Sequence, residues 1–304
     1  MKIQNLKSKI WDYASLVRFS HTIFAMPFAM ASLALAWPKH PVTLRAFLWI
    51  IVAMVGARTA AMAFNRIADR QFDARNPRTQ TWELPRGAVT LTEAIALTIL
   101  ASAIFTYAAF QLSWLCFLLS PVALLIVFFY SLTKRFTWTA HFFLGLALSI
   151  APIGAWLAVA GAALTIAELA TPLLLGFAVL FWLAGFDVIY SLQDREFDSR
   201  QGLCSIPVRF GVAAALRLSS FFHFITIVFL FLVGVTAGAR FFYLGRFSAV
   251  GGGVLLGDRL VTPRDLSRIE RGFFGYNASL RGGSLLHLPG GTPLGFRSGD
   301  WPSA

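Results

Sequence analysis

Charged residues are unevenly spaced along this chain, and the gaps between them draw its first map. No Asp, Glu, Lys or Arg falls between Arg18 and Lys39, Glu93 and Lys134, Arg135 and Glu168, Glu168 and Asp187, or Arg217 and Arg240. A membrane-crossing helix takes about 20 mostly apolar residues, so each gap admits a span. The 40-residue gap 94–133 predicts two, turning near residues 111–113. The pattern predicts helices near 19–37, 44–64, 93–110, 113–131, 139–160, 168–190, 215–237 and 241–257, the last interrupted by Arg246 and Gly251-Gly-Gly253. This is an all-α, polytopic membrane helix bundle with eight predicted transmembrane helices. The first follows Lys2, Lys7, Lys9 and Arg18 but has no clean small-residue cleavage site, so it reads as a span and not as a removed signal peptide.

Composition agrees. The 304 residues are 57% hydrophobic and only 13% charged, with a mean hydropathy of +0.69. A water-soluble domain carries about a quarter of its residues charged, so a soluble globule is excluded. The net charge of +12 is explained by where the cations fall. With the N-terminus inside, 19 Lys and Arg lie in inside segments, while Lys39, Arg45 and Arg240 lie outside. That is the positive-inside rule, and it predicts a multi-pass protein of the inner (cytoplasmic) membrane. A basic excess dispersed over five segments forms no nucleic-acid groove. Cys116 and Cys204 are too few and too far apart for a metal cluster or a structural disulfide.

Against this background the acids are oddly placed. Five of the nine Asp fall in two clusters at predicted cytoplasmic helix ends: Asp69 and Asp73, then Asp187, Asp194 and Asp198. Asn65, Asp69 and Asp73 are spaced by four and so stay on one helical face. Asp187, Asp194 and Asp198, at i, i+7 and i+11, share another stripe with Tyr190. Carboxylates one turn apart repel, and the repulsion grows near a membrane. Hard oxygen donors favour Mg²⁺, which is held by one or two carboxylates together with substrate phosphates. Arg66, Arg70, Arg75, Arg78, Lys134, Arg135, Arg195 and Arg209 lie close by in sequence. Acids, Mg²⁺ and cations together make a diphosphate site opening to the cytoplasmic side. Two plainer readings are solvated helix ends held by salt bridges, and the carboxylates of a cation transporter. A transporter places its acids near the bilayer midplane on broken helices.

At these residues the chain resembles the intramembrane aromatic prenyltransferases of the UbiA superfamily. The motif NxxxDxxxD stands as Asn65, Asp69 and Asp73, and DxxYxxQDxxxD as Asp187, Tyr190, Gln193, Asp194 and Asp198. Asn76-Pro-Arg-Thr79, Tyr130-Ser-Leu-Thr-Lys134-Arg135, Ala151-Pro-Ile-Gly-Ala-Trp156 and Ser205-Ile-Pro-Val-Arg-Phe-Gly211 look like the 4-hydroxybenzoate polyprenyltransferase branch and its menaquinone-pathway relatives. The resemblance covers about residues 12–280. It implies a nine-helix bundle with a central cavity, and Mg²⁺ bridging the two Asp motifs and a polyprenyl diphosphate.

The resemblance further implies Mg-dependent transfer of the polyprenyl group to 4-hydroxybenzoate or a similar aromatic acid in quinone biosynthesis, with a naphthoate acceptor as the alternative. Asn65, Asp69, Asp73, Asp194 and Asp198 are the implied metal ligands, and Asp187 orients or completes them. Arg78, Lys134 and Arg195 grip diphosphate, Tyr130 and Tyr190 line the reacting centre, and Arg18, Arg58 or Arg66 meets the acceptor carboxylate. His21 and His141 read as interfacial hydrogen-bonding residues. Three features depart from the pattern. Trp82 stands where the family generally has Arg, so that Trp82→Arg is expected to raise turnover or the apparent affinity for prenyl diphosphate. Cys204 stands where relatives often have His. No ninth apolar run follows the membrane domain at 1–280, and 281–304 reads as a disordered tail with six Gly and three Pro.

Overall fold

The structure, a computed structural model, describes residues 9, 11–17 and 25–238. Eight α-helices follow the N-terminal turn at 11–16: α1 (Met26–Ala36), α2 (Leu44–Arg75), α3 (Leu91–Leu112), α4 (Trp114–Thr133), α5 (Ala140–Ala160), α6 (Ala170–Ser191), α7 (Arg195–Arg200) and α8 (Ile206–Thr236). There is no strand among the described residues. Among the described residues, six segments are long and apolar enough to cross a membrane: α2 to α5, α8, and Ala167–Arg200, which contains α6 and α7. The 11-residue α1 is apolar but shorter. The eighth predicted span at 241–257, the start of the first at 19–24, and the tail at 281–304 lie outside the described residues.

Side-chain caps set several helix starts. Thr43 accepts from the Ala46 N–H, Ser113 from Cys116 and Ser205 from Val208, and Thr90 with Glu93 forms a capping box. Two boundaries differ from the sequence expectation. α2 runs to Arg75 instead of stopping near 64, because Asn65, Arg66, Asp69 and Arg70 end its apolarity without ending its helix. α8 starts at Ile206 instead of 215. Its first turns carry Arg209 and a Gly211 whose φ of 78° bends the chain, which hides them from an apolar pattern.

Small residues bring the helices together, as they do where lipid supplies no hydrophobic drive. A Cβ on Gly145 of α5 would sit 2.3 Å from the Leu180 carbonyl oxygen of α6, and one on Gly56 of α2 would sit 3.1 Å from the Phe105 nitrogen of α3. α2 packs on α3, α5 on α6, and α6 on α8. Leu100, Leu125, Phe221, Phe224 and Val235 lie on the outside of this bundle, an arrangement suited to lipid. All the acids of both motifs are carried to one end.

Candidate active site

The first cluster occupies the last three turns of α2. Asn65 Nδ2 donates to Asp69 Oδ2 at 3.0 Å, which keeps the amide oxygen turned away from the carboxylate. Arg135, just past the end of α4, approaches Asp69 at 3.7 Å and also donates to the Ala68 carbonyl at 2.6 Å. Asp73 is buried, and its nearest cation is Arg66 at 3.8 Å. Arg66 is itself buried. Its guanidinium stacks 3.7 Å from the centre of the Trp82 ring, and its Nε donates to the Leu16 carbonyl at 3.4 Å.

The second cluster begins in α6 and continues through the 3-10 turn Leu192–Asp194 into α7. Asp187 Oδ2 lies 2.7 Å from His141 Nδ1 of α5. Asp194 is gripped by Arg78 through two parallel bonds, Nε to Oδ1 at 2.9 Å and Nη2 to Oδ2 at 2.6 Å, and Asn76 Nδ2 adds a third at 3.3 Å. A fork-on-carboxylate bond of this kind is both strong and directional. Arg78 Nη1 also donates to the Tyr190 hydroxyl at 3.3 Å. Asp198 is buried with Lys134 at 3.7 Å. The Cys204 N–H donates to the Lys134 carbonyl at 2.7 Å, so the loop before α8 fixes the backbone that carries this lysine.

The two motifs therefore meet. Asn76 and Arg78, which follow the first motif, hold Asp194 of the second, and Arg75 reaches Gln201 at 3.4 Å. Each of four acids faces one base: Asp69 with Arg135, Asp73 with Arg66, Asp194 with Arg78 and Asp198 with Lys134. Burial pulls the Arg78 and Lys134 pKa values down, but the neighbouring carboxylates, Asp194 for Arg78 and Asp198 foremost for Lys134, outweigh it and raise both. Both bases stay charged.

Below the acids lies a cavity of about 350 Å³ walled mainly by α2, α3, α4 and α5. Along α4 it is lined from Tyr130 to Cys116, 14 residues that span about 21 Å. Its walls are apolar apart from a few groups, among them Arg58, Tyr130, Ser120 and Ser149. Arg58 sits seven residues before Asn65, about 10 Å deeper along α2.

The acids have the right chemistry for a divalent cation. Asp73 Oδ2 and Asp198 Oδ2 are buried without a hydrogen bond, their cations standing back at 3.8 and 3.7 Å, and a buried carboxylate oxygen left without a hydrogen bond is costly unless a ligand meets it. No three His, Cys, Asp or Glu side chains among the described residues form a metal cluster by themselves. Mg²⁺ does not need one, because substrate phosphates complete its shell.

Of the residues singled out from sequence, Asn65, Asp69, Asp73, Arg78, Lys134, Tyr190, Asp194 and Asp198 are brought to this end together, with Asp187 behind them and Tyr130 at the cavity. Arg195 turns elsewhere, donating to the Pro207 carbonyl at 3.1 Å. Arg18 and His21 lie outside the described residues. Four contacts were not paired from sequence: Asn76 on Asp194, Arg135 on Asp69, Trp82 on Arg66 and His141 on Asp187. Asn76, three residues past Asp73, and Arg135, next to Lys134, carried a positional signal, and His141 was read as a hydrogen-bonding residue without its partner.

Comparison with known proteins agrees with this geometry. The family described as UbiA prenyltransferase matches residues 25–278. A 4-hydroxybenzoate octaprenyltransferase of Coxiella burnetii is 29% identical over 249 residues, covering 81% of this chain and 85% of that protein. One from Francisella tularensis subsp. novicida is 32% identical over 195 residues, 64% of this chain and 66% of that one. Among solved structures, the apo form of a UbiA homolog from Aeropyrum pernix K1 superposes with a TM-score of 0.77 at 33% identity, over 86% of this chain and 97% of that chain. A UbiA homolog from Archaeoglobus fulgidus bound to GPP and Mg²⁺ shares the fold, with a TM-score of 0.67 at 20% identity over 88% of this chain and 97% of that one. With both motifs joined above an apolar cavity and the family matched over most of its length, the chain belongs to the UbiA prenyltransferase family and is a multi-pass membrane prenyltransferase.

Proposed function

We propose that the protein transfers the polyprenyl group of a polyprenyl diphosphate to the ring of 4-hydroxybenzoate, or a closely similar aromatic acid, in an Mg²⁺-dependent reaction. The observation that carries this reading is the junction of the two acidic motifs at the head of a cavity whose lining holds a cation, Arg58, beside Tyr130. An aromatic acid needs both an apolar slot and a partner for its carboxylate, and Arg58 supplies the second. Relatives named for 4-hydroxybenzoate support this acceptor. The Archaeoglobus fulgidus homolog with GPP and Mg²⁺ supports the donor class and the metal.

In this reading Asp69, Asp73, Asp194 and Asp198 hold Mg²⁺ with Asn65, and the metal supplies charge neutralisation of the diphosphate. Arg78 and Lys134 exchange their carboxylates for phosphate oxygens. Arg66, engaged as described, supports the site, and Arg195, turned to the Pro207 carbonyl, takes no part in it. The allylic C–O bond breaks with its electron pair on the diphosphate, a ring carbon forms the new C–C bond, and that carbon then loses its proton. Tyr130 and Tyr190 flank the allylic cation, and the apolar walls exclude the water that would quench it. Asp187 orients the reacting groups.

The test is a membrane assay of purified protein with labelled polyprenyl diphosphate. 4-Hydroxybenzoate and a dihydroxynaphthoate are offered side by side, with and without chelator. Metal-dependent prenylation of the benzoate is expected. Exclusive prenylation of the naphthoate, or full turnover in excess chelator, overturns the acceptor or the metal respectively.

A further inference from the structure

His141 makes two buried hydrogen bonds, and together they determine more than its position. Its side chain is wholly buried at the start of α5. Nε2 accepts from the Ile206 N–H at 3.2 Å, and Ile206 is the first residue of α8, whose amide has no partner inside its own helix. An imidazole nitrogen that accepts carries no proton, so the proton sits on Nδ1. Nδ1 is therefore the donor to Asp187 Oδ2 at 2.7 Å, and that oxygen is held as the acceptor. The free end of the α8 backbone thus selects one histidine tautomer, and that tautomer selects one orientation for Asp187. Such a backbone–histidine–carboxylate relay is how supporting residues hold a reacting group in place.

We propose that His141 is a positioning residue for prenyl transfer, acting through Asp187 and not by touching substrate. The inference rests on the transferase reading above. It locates the effect of His141 in the transfer step, because both residues stand behind the acids and bases that meet diphosphate.

The experiment compares His141→Leu, which removes the donor at similar size, with His141→Asn, which keeps a side-chain N–H at the position of Nδ1. For His141→Leu, kcat per folded molecule is expected to fall at least about tenfold, with KM for prenyl diphosphate within about threefold of wild type. His141→Asn is expected to recover kcat to within about threefold of wild type. Wild-type kcat in His141→Leu, or equal losses in both variants, overturns the proposal and leaves His141 a packing residue. If His141→Leu yields no monodisperse protein, His141→Asn against His141→Gln decides, and the proposal requires Asn to be the faster. A second readout needs no turnover. Nitrogen NMR of histidine-labelled protein, with five His in the chain and His141 identified by its loss in His141→Asn, should show a proton on Nδ1. A proton on Nε2 overturns the relay even where wild type transfers nothing, which would sink only the functional reading.

Discussion

Replacing Trp82 by arginine, the residue that the resemblance leads one to expect at this position, is the change on which the expectation from sequence and the structure part. By sequence alone, the variant adds a cation to a diphosphate site and gains turnover or apparent affinity for prenyl diphosphate. In the structure the Trp82 ring lies 3.7 Å from the Arg66 guanidinium carbon and 5.7 Å from that of Arg78. A guanidinium in place of the ring would face two like charges. At 3.7 Å and an effective dielectric of about 20, one such pair repels by about 4 kcal/mol. Trp82 is half-buried, so the new side chain can turn toward water, which reduces the penalty to about 1–2 kcal/mol. The lost cation–π contact adds about 1 kcal/mol. A net destabilisation of about 2–3 kcal/mol lowers the melting temperature of a protein this size by roughly 5–10 °C. Thermal unfolding of monodisperse protein in detergent, with initial rates normalised to folded protein, measures both effects. Trp82→Arg should melt lower and turn over no faster, while Trp82→Tyr should stay near wild type. An unchanged melting temperature together with faster turnover would refute the stacking argument and restore the expectation from sequence.

Other outcomes follow from the same geometry. Asp194→Ala, like Asp69→Ala, should cost at least about 100-fold in rate, roughly 2.7 kcal/mol of transition-state stabilisation, and excess chelator should stop wild-type turnover in the same assay. Arg58→Ala should raise KM for the aromatic acid about tenfold or more while leaving that for prenyl diphosphate within about threefold, read by varying each substrate in turn. In a background with Cys116 and Cys204 replaced by Ala, cysteines at positions 75 and 200 should be labelled only from the cytoplasmic side and one at 163 only from the opposite side. Labelling of 75 and 200 from opposite faces would separate the motifs and end the mechanism.

The long apolar helices were legible because a membrane imposes one simple rule on them, and α3, α4, α5 and α6 begin and end within about two residues of where the charge gaps placed them. α2 and α8 were not, because each leaves the apolar zone while still helical. The motif residues Asn65, Asp69, Asp73, Asp194 and Asp198 were legible because their spacing is a helical period. Which base meets which acid was not, although Arg66, Arg78, Lys134 and Arg135 were legible as cations beside the motifs. His141 is one polar residue among Phe and Leu, and nothing in its neighbourhood along the chain points to Asp187, 46 residues away. Trp82 was read as a missing cation. Its stack on Arg66 is visible only once the loop after α2 is folded back over that helix.

The length of α2 has a consequence for how the protein can vary. One unbroken helix carries Arg58 at the cavity and Asn65, Asp69 and Asp73 beyond it. Inserting or deleting a single residue between 58 and 65 would turn everything past it by about 100° and shift it by about 1.5 Å, carrying Asp69 away from Arg135 and Asn76 and Arg78 away from Asp194. This stretch can drift in composition but not in length. The connection from α2 to α3 is constrained as well, because Asn76 and Arg78 set the junction at its start while Arg86, Ala88 and Val89 at its end are tied to Asp12, Lys9 and Leu16.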